Sequence, residues 1–263
     1  MQRLALALAA IAPAIAVTSA TARPHYINVR LVVDSASPRP GQTMLVGFQM
    51  VPRPGWHGYW SNPGESGLAP VVRWSAPAGV HFGQLQHPAP TLMQVSGMTS
   101  YVHAGPHTLV ARVRLDRSLR VGQSLPITAD LAWAACSDKL CVPEKARLTL
   151  LLKVGAGEPS PDAALLERAV AAEPKSLSPG TFSIDRGRII LRLPPSARLD
   201  PQRVRFFPDE NGYWNPASAR VISRKPMRIA SPLTGKPGSR ISGVLSDGSS
   251  AYRLNFERAA IAR

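Results

Sequence analysis

Cysteine is nearly absent: the chain of 263 residues has two, Cys136 and Cys141. Two thiols exclude a multi-bridge disulfide scaffold and any four-cysteine metal site. Aromatic residues are sparse at 6%, and acidic residues number 16 against 31 basic ones. After the N-terminal stretch, no apolar run approaches the roughly 18 consecutive residues that a membrane-spanning helix needs. The surplus of positive charge also lacks any concentration. Residues 23–157 and 158–263 each carry a net charge of +7, scattered, with no cluster of five or more basic residues and no aromatic-basic interleaving. That is the pattern of an Arg-biased solvated surface, so nucleic acid is not expected as a partner.

Proline and glycine, by contrast, are plentiful at 26 and 20, and 44% of residues are hydrophobic, which describes a globular, turn-rich chain. The N-terminus reads as a secretory signal: Met1-Gln2-Arg3 is a basic start, Leu4 to Val17 an apolar stretch broken by Pro13, and Ala20-x-Ala22 a small-residue site with cleavage expected after Ala22. Such a signal on an Arg-rich chain points to the periplasm, with no transmembrane span in the mature protein. About 240 residues then remain, enough for one large domain or two small ones.

Strand signals dominate. Ile27 to Val33, Thr43 to Met50, Val71 to Trp74, Thr108 to Leu115, Ile127 to Ala135 and Ala146 to Val154 are short β-rich segments separated by Pro/Gly breaks. Gly155 to Pro159 is linker-like. Ser160-Pro161-Asp162 reads as a helix start, with Leu165, Leu166, Ala169 and Val170 on one side and Pro174 as a stop. Strands resume at Thr181 to Ile184, Ile189 to Leu193, Val204 to Pro208, Arg228 to Ala230, Ser239 to Leu245 and Tyr252 to Phe256. The expected fold is all-β: two immunoglobulin-like β-sandwich domains joined by a short helix. The divisions are a signal peptide at 1–22, a first β domain at 23–157, a helical linker at 158–178 and a second β domain at 179–263.

Cys136 and Cys141 lie where one strand pattern leads in and another leads out, the mouth of a β-hairpin, so bridging is geometrically easy. Closing a loop of six residues stabilises by only about 2 kcal/mol on the chain-entropy estimate, and a hairpin already holds those ends together. A working redox pair should be close, local in sequence and near the surface, conditions that a loop pair meets. A structural disulfide and half of a zinc site stay open as alternatives. His103 and His107 stand at closing spacing with a Gly105-Pro106 turn between them, and no second cysteine pair exists, so no metal site is assigned. Of the two thiols, Cys136 is expected to be the more exposed, because Cys141 precedes Val142-Pro143 at a strand start.

Three segments together, "PGWHGYWSNPGESGLAPVVRW" (54–74), "TSYVHAGPHTLVARVRL" (99–115) and "CSDKLCVPEKARLTL" (136–150), resemble in order the N-terminal periplasmic domain of the DsbD-type thiol-disulfide interchange family. The nearest likeness is to the suppressor-of-copper-sensitivity B branch. It covers roughly residues 25–155, and "RFFPDENGYWNPASARV" with "ISGVLSDGSSAYRLNFE" extends it to the second β domain.

The resemblance implies a protein-disulfide reductase component whose catalytic Cys136 and Cys141 carry electrons without any bound cofactor. The implied partners are a membrane-embedded thiol electron transporter on a separate chain and oxidised periplasmic proteins of thioredoxin-like or disulfide-isomerase-like kind. It also implies a cap over the cysteines. Here the corresponding loop, Pro90 to Tyr101, offers Met93, Val95 and Met98 in place of the family's aromatic residue and acids. Tyr59, Glu65, Tyr101 and His103 are candidates to lie near the disulfide. Asp138 and Lys139, inside the cysteine loop, bias the Cys136 thiol in opposite directions, since a cation favours thiolate and an anion opposes it. Two alternatives come from other classes: a two-domain binding or scaffold module with a structural disulfide, and a copper chaperone using Met93, Met98 and His103.

Overall fold

The computed structural model describes residues 25–95 and 97–259, and the side chain of Val95 is not among what is described. The expected signal peptide at 1–22 therefore lies outside the described residues. The N-terminal part is built from β1 (Ile27–Val33), β2 (Ser35–Ser37), β3 (Thr43–Pro52), β4 (Gly58–Gly64), β5 (Val71–Ser75) and β6 (Val80–Phe82). It continues with β7 (Thr91–Val95), β8 (Met98–His103), β9 (His107–Leu115), β10 (Ser124–Cys136), β11 (Cys141–Lys153) and β12 (Glu158–Pro159). Helix α1 (Ala163–Ala171) follows. The C-terminal part comprises β13 (Lys175–Ser176), β14 (Gly180–Asp185), β15 (Arg188–Arg192), β16 (Arg205–Pro208), β17 (Arg220–Arg224), β18 (Met227–Pro232), β19 (Arg240–Ser246) and β20 (Ala251–Arg258).

The fold is all-β and immunoglobulin-like. One sheet runs β1-β3-β9-β6 and a second runs β11-β10-β5. Their inner faces share Met44, Val46, Val113 and Leu115 from the first with Leu125, Ile127 and Leu152 from the second, the face-to-face packing that period-2 alternation of apolar residues produces. On β10 that alternation holds as far as Trp133. Trp133, Ala134, Ala135 and Cys136 are then all buried in succession. Burial on both faces means a further layer covers the end of the strand, and that layer is a third sheet, β4-β8-β7.

Helix α1 is a docked element rather than a spacer. The expected apolar side is the one it uses: Leu166 is fully buried against Val32 and Val110, with Leu165, Ala169 and Val170 packed around it. Ion pairs pin both ends, Arg30 to Asp162 at 2.7 Å and Arg112 to Glu173 at 2.9 Å. Gly47 is required beneath it, because a Cβ there would stand 2.8 Å from the Leu166 side chain and 2.9 Å from the Leu109 carbonyl.

The C-terminal strands form one continuous sheet, β16-β19-β20-β14-β15-β18-β17, with β13 paired to β20. Phe206 of β16 and Ile229 of β18, near opposite ends of that order, share one core with Phe182, Leu191, Leu245 and Phe256. The sheet therefore curls around a single interior.

Candidate functional site

β10 and β11 pair residue for residue from Ser124↔Lys153 to Cys136↔Cys141, so the two sulfurs close the last rung of a 13-residue ladder. They are joined as a disulfide with Cα atoms 4.0 Å apart. The loop beyond is held by its own serine: the Ser137 hydroxyl accepts from the Lys139 and Leu140 amides, at 3.2 and 3.1 Å.

The two cysteines have opposite surroundings, and the expectation that Cys136 is the more exposed is corrected here. Cys136 is 1% exposed, whereas Cys141 is exposed. The cause is a contact 79 residues away in sequence: the His57 amide donates to the Cys136 carbonyl at 2.8 Å, and the Cys136 amide returns a bond to the His57 carbonyl at 3.0 Å. That bridge, just before β4, lays Tyr59 over the pair, and Cys136 joins Tyr59, Val102 and Ala134 in a buried cluster capped by Met93.

The Tyr59 hydroxyl is 3.9 Å from the Cys141 sulfur, while its ring is 3% exposed. Burial pushes the phenol up from its usual range, so at neutral pH it keeps its proton and can donate to a neighbouring anion. Gly67, at φ 88°, lies directly against the Tyr59 ring, where a side chain would overlap the aromatic carbons. His57 stands edge-on to Tyr59, ring centroids 5.4 Å apart, and burial lowers its pKa, so the imidazole is neutral.

The stretch from Pro90 to Tyr101, expected as a cap loop, is instead a β-hairpin of β7 and β8. Its alternation sorts the candidate residues. Met93 pairs with Ser100 and Thr91 with Val102, and this face meets the cysteines. Leu92 pairs with Tyr101 on the opposite face, which packs on Phe207 and Val244 of the C-terminal sheet. Tyr101 is thus not beside the disulfide. Val95 ends β7, pairing with Met98 at the tip.

Glu65 does not reach the sulfurs either. Its carboxylate accepts the Thr99 amide at 2.6 Å, while its own amide donates to the Thr99 carbonyl at 2.8 Å, latching β8. His103 is buried in a stack with His107 and His87, centroids 4.4 and 6.3 Å apart. Burial holds His87 down to about 4 and His103 well below the usual imidazole range. Asp138 and Lys139 are exposed in the loop, with their side chains toward solvent. Met93, Met98 and His103 do not converge, since Met93 faces the cysteines, Met98 is exposed and His103 is buried in the histidine stack. Among the described residues no three His, Cys, Asp or Glu side chains are placed to share a metal ion.

Glu144, three residues beyond Cys141, is the polar anchor of the site's base. It is 7% exposed and accepts from the Trp133 indole at 2.9 Å and from the Tyr26 and Ile27 amides at 2.6 and 3.2 Å. A buried carboxylate needs such donors, and these tie the start of β1 to the cysteine hairpin. His57 and Glu144 were not selected as site residues from the sequence. The only signal for Glu144 is a charged residue where β11 alternation calls for a buried one, and nothing local marks His57.

Residues 28–153 match the family model described as Thiol:disulfide interchange protein DsbD, N-terminal. The N-terminal periplasmic domain of ScsB from Proteus mirabilis superposes with a TM-score of 0.66 at 16% identity, covering 90% of this chain and 94% of that chain. The DsbD N-terminal domain of Neisseria meningitidis in the reduced form is 14% identical over 49% of this chain and 90% of that chain, with a TM-score of 0.29. No curated protein sequence matches the chain. Among the described residues, no helix is long and apolar enough to cross a membrane.

Proposed function

With residues 28–153 belonging to the DsbD N-terminal family, we propose that this protein is a periplasmic thiol-disulfide exchange protein working through Cys136 and Cys141. The observation that carries the reading is the asymmetry of the pair. Exchange needs one sulfur that a partner can reach and a second within bonding distance to resolve the mixed disulfide; Cys141 is exposed and Cys136 buried beside it. The sequence expectation is thereby reversed: Cys141 attacks and Cys136 resolves.

In the reduced protein, the Cys141 thiolate attacks one sulfur of a partner disulfide. A Cys141–partner mixed disulfide forms and the first partner thiolate leaves, taking up a proton. Cys136, losing its proton, attacks the Cys141 sulfur and expels the second partner thiol. The partner gains two electrons and two protons, and Cys136–Cys141 is oxidised. Tyr59 supports the step by aiming its hydroxyl at the Cys141 sulfur, where an anion gains from a fixed donor. A membrane thiol transporter then restores the dithiol, and thioredoxin-like or disulfide-isomerase-like periplasmic proteins receive the electrons.

The test is trapping. In cells containing the membrane donor, Cys136→Ser accumulates a reducible adduct through Cys141, and Cys141→Ser yields little, because the remaining thiol is covered. Adducts from neither variant, or from Cys141→Ser alone, contradict the assignment.

A further inference from the structure

The β7–β8 hairpin is a partition, tied to the N-terminal part through β8 by its pairing with β4 and the Glu65–Thr99 latch. Among the described residues β7 is an edge strand, bonded only to β8. β8 pairs β4 at Gly58↔His103 and Tyr59↔Val102, and the register then breaks until Gly64↔Ser100. Where that ladder lapses, β4 turns to the C-terminal sheet. The Asn62 amide donates to the Pro208 carbonyl at 2.8 Å and to the Asn211 side chain at 2.9 Å, and Asn211 donates back to the Gly64 carbonyl at 2.7 Å.

Behind the hairpin, Phe207 meets Tyr101 edge-to-face with centroids 5.4 Å apart and Trp60 at 6.5 Å, with Leu92 and Ala251 against the same cluster. Because side chains alternate across a strand, the residues that touch the C-terminal sheet cannot also touch the cysteines. Force on one face is passed to the other by the hairpin backbone.

We infer that the C-terminal sheet is the backstop of the cysteine cap: Phe207, with the Asn62–Asn211 latch, positions the β7–β8 hairpin over Cys136 and Tyr59 and so sets the rate of disulfide exchange. This rests on the thiol-exchange reading and assigns the C-terminal part a role within it. Phe207 and Asn211 are positioning residues, since neither reaches a sulfur. A reagent reaches the exposed Cys141 sulfur directly, and the covered Cys136 must then part from it beneath the cap, so loosening the clamp eases opening and closing of the bond alike and leaves the equilibrium alone.

The experiment measures reduction of the full chain by dithiothreitol, which gives up two electrons and two protons and closes its own disulfide ring as Cys136–Cys141 opens to two thiols. Removing packing or a latch lowers the cost of local opening, so Phe207→Ala is expected to react about five- to tenfold faster than the unaltered chain and Asn211→Ala about threefold faster. The equilibrium constant against glutathione stays within about twofold, because a cap that yields to the moving sulfur in both directions does not change the bond that reacts. Asn211 is exposed, so its variant keeps the test readable if Phe207→Ala does not fold. Equal rates in all folded chains overturn the clamp and leave thiol exchange standing. Faster reduction with a matching shift in the equilibrium constant also overturns it, assigning the effect to the bond. A disulfide that resists the dithiol in every variant overturns the exchange reading itself.

Discussion

The N-terminal and C-terminal parts bury their interiors in different ways. The C-terminal sheet closes on one core of fourteen buried hydrophobic residues, from Phe182 to Phe256, with Ser231, Ser246 and Asp247 as the buried polar residues of that part. The N-terminal part divides its interior among several smaller clusters and threads buried polar side chains between them: His57, Asn62, His87, Thr99, Ser100, His103 and Glu144. Buried polar groups cost free energy unless they are bonded, so a fold carries them where position matters more than stability. The disulfide lies among them. The C-terminal part supplies rigidity from outside, through Phe207 and Asn211.

The difference can be tested by damaging each side. Phe256, fully buried in the C-terminal core, is the larger target: truncating a buried Phe to Ala costs about 4 kcal/mol. Phe256→Ala should lower the urea midpoint strongly, yet the disulfide, whose immediate shell lacks Phe256, should remain bonded in the folded fraction. Loss of the bond in the folded fraction would show that the two parts do not divide the labour in this way.

Acid probes the N-terminal side. His87 is buried and neutral, with a folded pKa of about 4 caused first by burial and then by the neighbouring His107 and Arg253. Its folded pKa lies below the unfolded value of 6.5, so protons bind the unfolded chain first. Stability is therefore full above pH 6.5 and falls with pH until about 4, by about 2 kcal/mol at pH 5 from His87 alone. His103 and His107 shift in the same direction and add to the loss. Denaturant titrations at pH 7 and pH 5 measure it, and His87→Gln should flatten the dependence. An unchanged midpoint at pH 5 would mean that the cluster is hydrated.

The sequence exposed the ladders and hid the coverings. β10 and β11 were legible because Ile127 to Trp133 alternate and the cysteines mark where the pairing ends. The helix was legible from Leu165, Leu166, Ala169 and Val170, though not its docking on Val32. β7 and β8 were read as a loop, since Met93, Gln94 and Met98 carry little β preference and Pro88-Ala89-Pro90 precedes them. The relative exposure of the cysteines was misjudged from Val142-Pro143, because a local reading does not see His57 arriving at Cys136. Tyr101 and Glu65 stand out in sequence through the segments that carry the family resemblance, and strand alternation sends Tyr101 to the other side. The Trp60–Phe207 contact spans 147 residues, beyond any local pattern.

Cys136–Cys141 is expected to be a working disulfide and not a staple. Equilibrating the native chain with glutathione buffers of graded potential and counting free thiols measures it most directly. A working disulfide has a midpoint above about −300 mV, with Cys141 the thiol that is alkylated first. A midpoint below that, or a bridge that stays closed in the folded protein under mild dithiols, would contradict it.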